Sequence, residues 1–304
     1  MNNTIYFISG PTAIGKSEFA INLSKKINGE IINADSMQIY KELKIITARP
    51  TSTDIKKVQH HLYGYVNGNE RFNVEKWCLE AVKIINYLIK KKKSPIFVGG
   101  SGLYIQTLIN GITFIPSIPE EIKDASKELF DKIGLNNFYK LVKDLDYVAT
   151  KDISKNDTQR LKRIWEVYNY TNKKFSSWKK NKNNKFLESV NFKIILFLPE
   201  REQNYRRVNE RVLKMINNGA VEEVNNLINL NYNKSLPIMR AHGVPEIISY
   251  KDILIRYSSL RGLQRRIFIH QQVVWCQSQR GNDPVICIQK IFALQKHPCA
   301  ATWL

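Results

Sequence analysis

The sequence predicts an α/β protein built on a doubly wound, mostly parallel sheet. Four short apolar runs are typical of strands buried on both faces, as in parallel sheets. They lie at Thr4–Ser9, Glu30–Ala34, Pro95–Val98 and Phe192–Leu198. Helical patterns at Lys16–Lys26 and Val74–Lys91 separate the first three runs. This alternation of strand and helix favours βαβ units.

The interval between the third and fourth strands is too long for a single crossover connection. Its sequence predicts helices at Glu120–Lys132, Asn136–Lys143 and Asp157–Tyr170. We therefore expect a helical insertion over residues 118–188 in a core formed by 1–117 and 189–280. Residues 281–304 show no pattern that assigns them to either part.

Composition and charge exclude some functional classes and favour others. The 304 residues are 43% hydrophobic and 24% charged, which is typical of a globular chain. No apolar run reaches the ~18 residues of a membrane span, and the N-terminus lacks the features of a secretory signal. The four cysteines form no CxxC pair, which favours a reduced, cytoplasmic protein.

Lys and Arg outnumber Asp and Glu by 47 to 27, which gives a formal net charge of +20. Such a field favours a polyanionic partner, although a general abundance of lysine would also produce it. The Lys-rich stretch 173–185 around Phe175 and Trp178 fits two interpretations equally well. It is either an aromatic-bearing nucleic-acid surface or a solvated loop.

A phosphate-binding motif follows the first strand. The segment Gly10–Ser17 (GPTAIGKS) fits G-x-x-x-x-G-K-[ST], the P-loop pattern. In such a motif we expect the backbone N–H groups and Lys16 to bind phosphate oxygens and the Ser17 hydroxyl to bind Mg²⁺. The following helix would direct its positive end at the same anion. The motif predicts phosphate binding but not the reaction.

Asp35 is the acidic residue at the end of the second strand, in the segment DSMQIY. In a parallel sheet that strand end lies at the same edge as the P-loop, where ligands bind. We therefore expect the carboxylate near the phosphates, where it can remove a proton. The alternative is that Asp35 is an ordinary helix cap.

Cations are predicted near phosphates at two further places. Arg201 follows the fourth strand and is placed to bind a phosphate, whereas Arg206, Arg207 and Arg211 have helical spacing and are expected to serve helix faces. In NDTQRLKR, Asp157 is a predicted N-cap and is followed by three cations. Cations in a first helical turn interact unfavourably with the positive end of the helix dipole. Contact with a phosphate is the simplest way to offset this cost.

His60 and His61 have no third metal ligand nearby in the sequence. We expect them to have a loop or packing role rather than to bind a metal.

Taken together, these segments resemble the tRNA dimethylallyltransferase family. The resemblance extends from residue 5 to about 275, in family order. It is carried by GPTAIGKS, NADSMQIY (33–40), TARP (47–50), VGGSGLY (98–104), NDTQRLKR (156–163), LPERE with RRVNERVLKMINNGAVEEV (198–224) and MRAHGVPEI (239–247). The pair DSMQIY and VGGSGLY is far more specific than the P-loop alone.

The resemblance implies a P-loop NTPase/kinase-like core with a helical insertion. It also implies transfer of a dimethylallyl group from dimethylallyl diphosphate to N6 of the adenosine next to the anticodon in tRNA, with Mg²⁺. Asp35 would be the general base, and Ser101 would contact the reacting nucleotide. The diphosphate or nucleotide would be bound by Gly10, Pro11, Thr12, Ala13, Ile14, Gly15, Lys16, Ser17 and Arg201, with Ser17 also at the metal.

The same resemblance implies contacts with the anticodon stem-loop of tRNA. These would be made by Asp35, Ser36, Met37, Gln38, Ser101, Lys123, Gln159, Arg160, Leu161, Lys162, Arg163, Arg240, Ala241, His242 and Gly243. We expect a monomer in the cytoplasm with no membrane partner. The sequence departs from the family pattern at Ile46, where Gly is usual, at Arg49, where Lys is usual, and at His270 and Gln271, where two cations are usual.

Two other functions remain possible from the residues alone. A small-molecule or nucleoside kinase using ATP would explain Lys16 and Ser17 but not the charge or DSMQIY. A non-catalytic RNA-binding protein would explain the charge but not an intact P-loop.

Overall fold

The computed structural model describes residues 4–113, 115–179, 186–187 and 190–249, apart from the side chains of Lys179 and Arg201. Its centre is a parallel sheet with strand order β3-β2-β4-β1-β5. The strands are β1 (Thr4–Ser9), β2 (Gly29–Asn33), β3 (His60–His61), β4 (Ser94–Gly99) and β5 (Asn191–Leu196). The predicted parallel α/β sheet is thereby confirmed.

Helices connect and flank these strands. They are α1 (Lys16–Ile27), α2 (Ser52–Lys57), α3 (Val74–Lys90), α4 (Gly102–Asn110), α5 (Glu120–Leu145), α6 (Tyr147–Thr150), α7 (Thr158–Thr171), α8 (Phe175–Lys179), α9 (Arg201–Asn217) and α10 (Ala220–Asn229), followed by a 3₁₀ turn at Pro237–Arg240. No helix in the described part of the chain is long and apolar enough to cross a membrane.

The chain divides into two compact units. One comprises Met1–Ile105 with Ser189–Leu304 and contains the sheet, and the other is the helical unit Gln106–Glu188. The sheet-containing unit packs α1 on the strands through Ile8, Ala20, Ile31 and Ile96, all of which are buried. The helical unit has its own core, in which α5 and α7 meet at Phe138, Val142, Leu161 and Ile164.

Two features of the fold differ from the sequence-based expectation. His60 and His61 form β3, which pairs with β2, rather than the loop that was one of the two expected roles. Two residues with no apolar run carry too little periodicity to predict a strand. Their side chains have protein partners, since His61 Nε2 lies 2.6 Å from Glu30 Oε2 and His60 Nδ1 lies 2.7 Å from the Val58 carbonyl.

The predicted helices Glu120–Lys132 and Asn136–Lys143 are joined in α5, which is broken at Gly134 with φ 73° and ψ 169°. Glycine adopts that conformation without the steric cost that a side chain would bring.

Candidate active site

A cavity of about 860 Å³ opens at the carboxyl edge of the sheet, within the sheet-containing unit. The loop between β1 and α1, the segment after β2, the loop 47–51 and one face of α9 form its walls. Parallel strands direct their carboxyl ends to one edge, so residues far apart in sequence meet there. Seven Lys or Arg side chains and four Asp or Glu side chains line the cavity. The lining therefore favours an anionic ligand.

The loop of residues 10–17 forms one wall. Gly10, Thr12, Ala13, Ile14, Gly15, Lys16 and Ser17 line the cavity. Gly10 needs its missing side chain, because a Cβ there would lie 2.6 Å from the Phe197 carbonyl oxygen at a φ of +143°. Lys16 Nζ donates to the Gly10 carbonyl at 2.9 Å and also to that of Pro11. The ammonium group is thus held against the loop that begins α1.

The electrostatic environment of Lys16 is unusual. Burial and, to a smaller extent, the nearby Arg211 lower its pKa from 10.5 to about 8, whereas the Asp35 carboxylate acts in the opposite direction. Burial also lowers the pKa of Arg211, against the influence of Asp35. Two cations and one carboxylate are therefore close enough to interact in one part of the cavity. An added anion would relieve the repulsion between the two cations.

Asp35 is held in a fixed orientation by its neighbours. The fully buried Asn33 accepts from the Asp35 N–H at 2.8 Å and donates to the Asp35 carbonyl at 2.9 Å. The Trp77 indole N–H donates to the Asn33 carbonyl at 3.0 Å, which anchors the end of β2. Asp35 Oδ1 accepts from the Met37 N–H at 2.9 Å. Among the described residues no hydrogen bond reaches Oδ2, which leaves that oxygen for a ligand.

Ser101 meets the Asp35 segment from β4. Its Oγ accepts from the Ser36 N–H at 3.0 Å, and its own N–H donates to the Ala34 carbonyl at 3.2 Å. This approach requires a glycine at position 99, since a Cβ there would lie 2.1 Å from the Ala34 oxygen. The motif VGGSGLY thus places Ser101 beside the segment that follows β2.

The face of α9 supplies cations that the sequence interpretation misassigned. Arg207, Arg211 and Lys214 line the cavity, and Arg211 Nη1 donates to Thr12 Oγ1 at 3.2 Å. We expected the arginines after Arg201 only to serve helix faces. The spacing of four and three residues that places these cations on one helical face was the available signal. The side chain of Arg201 lies outside the described residues.

The predicted tRNA contacts of the helical unit have partners within that unit. Lys123 pairs with Glu120 at 2.9 Å, and Arg160 pairs with Asp157 at 3.1 Å. Lys162 lies 4.3 Å from the centre of the Phe130 ring, and Arg163 lies 3.9 Å from Glu166. The cations early in α7 are therefore compensated locally, and their position alone does not require a phosphate.

Leu161 corrects one of those predictions. The residue is fully buried in the core of the helical unit, so its side chain cannot contact tRNA. Gln159 lies in the first turn of α7 and is exposed.

The remaining predicted tRNA segment, 240–243, follows the 3₁₀ turn. Arg240 and His242 are exposed, whereas Ala241 is buried. The Gly243 N–H donates to Glu246 Oε2 at 2.7 Å. The departures from the family at His270 and Gln271, and the unassigned tail 281–304, lie outside the described residues.

Ser17, the residue predicted at the Mg²⁺ ion, contributes a hydroxyl oxygen to the lining of this cavity. The carboxylates of Glu18, Asp35, Asp54 and Glu210 contribute further hard oxygen atoms to the same lining. Mg²⁺ favours such sites, in which one or two protein oxygens are completed by phosphate and water. No group of three or more His, Cys, Asp or Glu side chains in the described part of the chain is arranged to hold a metal without such a substrate.

Comparison with known proteins identifies the family of this chain. Residues 38–279 match the IPP transferase family. A tRNA dimethylallyltransferase of Pelagibacter ubique is 40% identical over 288 residues, which is 92% of each chain. One of Wolbachia pipientis subsp. Culex pipiens is 40% identical over 296 residues, covering 96% of this chain and 98% of the relative.

A solved structure of a eukaryotic dimethylallyltransferase acting on tRNA shares the fold, with a TM-score of 0.70 at 24% identity. The match covers 91% of this chain and 69% of the other. The predicted family is thereby confirmed, and the relatives do not support the kinase alternative. The chain belongs to the IPP transferase family, together with the tRNA dimethylallyltransferases.

Proposed function

We propose that this chain transfers a dimethylallyl group from dimethylallyl diphosphate to N6 of the adenosine next to the anticodon in tRNA. One observation carries the proposal beyond family membership. The fixed carboxylate of Asp35 lines the same 860 Å³ cavity as Lys16, Arg211 and the loop 10–17. A group that accepts a proton and a group of cations that binds diphosphate are the two requirements of this reaction.

The reaction forms one bond and breaks one. The N6 nitrogen attacks the first carbon of the dimethylallyl group, and the bond from that carbon to the diphosphate oxygen breaks. The diphosphate leaves with the electron pair, and Asp35 Oδ2 accepts the proton lost by N6. General-base assistance of this kind contributes about 10²–10⁴ in rate.

Lys16 and Arg211 act on the leaving group. Negative charge grows on the diphosphate as the carbon–oxygen bond breaks, so fixed cations stabilise the transition state more than the ground state. Because burial and Arg211 lower the pKa of Lys16 to about 8, a bound diphosphate would hold this side chain in its charged form. Mg²⁺ bound at Ser17 would supply further positive charge to the same phosphates.

The acceptor base must leave its stack to reach a cavity of this kind. Extrusion costs least in a single-stranded loop, which favours an anticodon loop over a duplex. The net charge of +20 supports binding of tRNA phosphates outside the cavity. The predicted contacts at Lys123, at the α7 residues Gln159, Arg160, Lys162 and Arg163, and at 240–243 are proposed to serve that purpose.

Incubation of the purified chain with undermodified tRNA, labelled dimethylallyl diphosphate and Mg²⁺ tests the proposal. We expect label in the tRNA and, after nuclease digestion, on N6 of a single adenosine. A parallel reaction with ATP and a nucleoside mixture tests the kinase alternative. Consumption of ATP without labelled tRNA would contradict the proposal, as would tRNA binding without transfer.

A further inference from the structure

A carboxylate on α10 binds a loop that is distant in sequence. Glu223 Oε1 accepts from the N–H groups of Lys44 and Ile45 at 2.7 and 2.8 Å. Its Oε2 accepts from Ile45 and Ile46 at 3.0 and 2.9 Å. One side chain therefore satisfies three consecutive backbone donors. Hydrogen bonds to an ionised acceptor are about twice as strong as neutral ones.

The loop held by Glu223 continues directly into the wall of the cavity. Residues 47–51 line it, as Asp35 does. Thr47 Oγ1 donates to the Leu43 carbonyl at 2.7 Å, and Ala48 adopts a left-handed conformation with φ 52°. A non-glycine residue keeps such a φ only where its surroundings impose it. The anchor at Glu223 is one such constraint on the loop.

The loop in turn fixes the side chain of Gln38. Gln38 Nε2 donates to the Thr47 carbonyl at 2.7 Å and to the Ala48 carbonyl at 3.2 Å. Because only the NH₂ group of an amide can donate, two carbonyl partners determine which end of the side chain is which. Gln38 lies three residues from Asp35 and lines the cavity. With Nε2 bound to the loop, Oε1 is the acceptor atom that its amide can offer to a ligand.

We propose that Glu223 is a positioning residue for the acceptor base. It holds the loop 44–48, whose carbonyls orient the Gln38 amide so that Oε1 accepts an N–H of the base that Asp35 deprotonates. This inference rests on the proposed function. Glu223 does not line the cavity itself, so its effect on the reaction passes through the loop and Gln38.

A double-mutant cycle tests this route. We expect Glu223→Gln to lower kcat/KM for tRNA about tenfold. The glutamine NH₂ group is itself a donor and cannot accept a hydrogen bond from the backbone N–H groups of the loop. The KM for dimethylallyl diphosphate should stay within about twofold, because the loop 10–17 has its own supports. In a Gln38→Ala background the same substitution should have about a twofold effect or less. The inference would be overturned if the effects of the two single substitutions on kcat/KM for tRNA multiplied in the double variant. It would also be overturned if Glu223→Gln raised the KM for dimethylallyl diphosphate by as much as it lowered kcat/KM for tRNA.

Glu222→Gln is the matched control, because it removes the same charge from an exposed neighbour on α10. It should leave both KM values and the melting temperature unchanged. If Glu223→Gln does not fold, Glu223→Asp keeps the charge with a shorter reach and should show the same pattern at smaller amplitude. Failure of Glu223→Asp to lower kcat/KM for tRNA would then count against the inference.

Amide hydrogen exchange separates this inference from the proposed function. The peptide covering 43–50 should exchange faster in Glu223→Gln than in the wild type and in Glu222→Gln. Unchanged exchange would overturn the positioning role even in an active enzyme. A third result separates the two claims. If the wild type transfers no label but Glu223→Gln still exchanges faster, the proposed function is refuted and the contact between Glu223 and the loop stands.

Discussion

Two basic regions of this chain look alike in sequence and differ in their surroundings. In the cavity, Lys16 and Arg211 interact unfavourably with each other, and burial and this repulsion lower the pKa of Lys16 to about 8. In α7, Arg160 and Arg163 each have an acidic partner, and Lys162 lies over an aromatic ring. The first arrangement leaves positive charge for a ligand, whereas the second is largely satisfied by the protein. Whether a cation is available to bind a ligand therefore depends more on its contacts in the folded protein than on its position in a sequence pattern.

The Asp35 carboxylate, which interacts with both cavity cations, should matter most. We expect Asp35→Asn to lower kcat by about 10²–10⁴, since the amide keeps the shape of the side chain but cannot accept the proton. The affinity for tRNA should stay within about threefold of the wild type. The hydrogen bonds between the Asn33 side chain and the backbone of residue 35 remain in the variant and keep this segment in place. Single-turnover transfer and a tRNA binding titration measure the two quantities. Near wild-type transfer would limit Asp35 to a structural role, in which it holds the turn at Met37.

Arg211 distinguishes the cavity face of α9 from its other faces. Arg211→Ala should lower kcat/KM for dimethylallyl diphosphate by about 10- to 100-fold, because a fixed cation at the leaving group is lost. Arg206→Ala is the control, since Arg206 is an exposed residue of the same helix and does not line the cavity. Equal effects of the two substitutions would mean that only the overall charge of α9 matters.

The titration of Lys16 gives the cavity a pH dependence that α7 should lack. Its pKa of about 8 means that the side chain is charged below this pH and neutral above it. The protonated form binds diphosphate, so the KM for dimethylallyl diphosphate should rise as the pH increases above about 8, by up to about tenfold per pH unit. Kinetics between pH 7 and pH 9.5 measure this.

Lys16→Arg supplies the matched control for that profile, since arginine stays charged throughout the range. The rise in KM should then disappear. A rise that persists in Lys16→Arg would show that another group controls binding.

The cations of α7 should have the smallest effect. Lys162→Ala should flatten the slope of log tRNA affinity against log salt by about one unit or less, with kcat unchanged. Gln159→Ala removes an exposed but uncharged side chain from the same helix and should not alter the slope. A fall in kcat for Lys162→Ala would place α7 in the chemistry and remove the contrast between the two regions.

Local sequence signals predicted the frame of the fold and one wall of the site. The apolar runs located β1, β2, β4 and β5 to within about two residues, and GPTAIGKS located the loop that holds Lys16. These features depend on neighbours in sequence, which a single sequence displays. The parallel sheet then brings Asp35 to the same edge by topology.

Contacts across long separations were the part that sequence could not predict. The helical spacing of Arg211 places it on one face with Arg207 and Lys214 but does not identify Thr12 as its partner. Nothing near Glu223 indicates that it binds the loop 44–46. Leu161 shows the opposite problem, because membership in a charged motif suggested a ligand contact for a residue that its helix buries. In each case the partner is set by packing rather than by spacing.

Binding of the leaving group at the Lys16 end of the cavity can be measured without turnover. Calorimetric titration of inorganic diphosphate with Mg²⁺ at pH 7 compares the wild type with Lys16→Met and Lys162→Met, which remove one charge from each basic region. We expect Lys16→Met to weaken diphosphate binding by about 10- to 100-fold and Lys162→Met to leave it unchanged. Equal affinity in all three proteins, or a loss confined to Lys162→Met, would contradict the assignment of the cavity to the diphosphate.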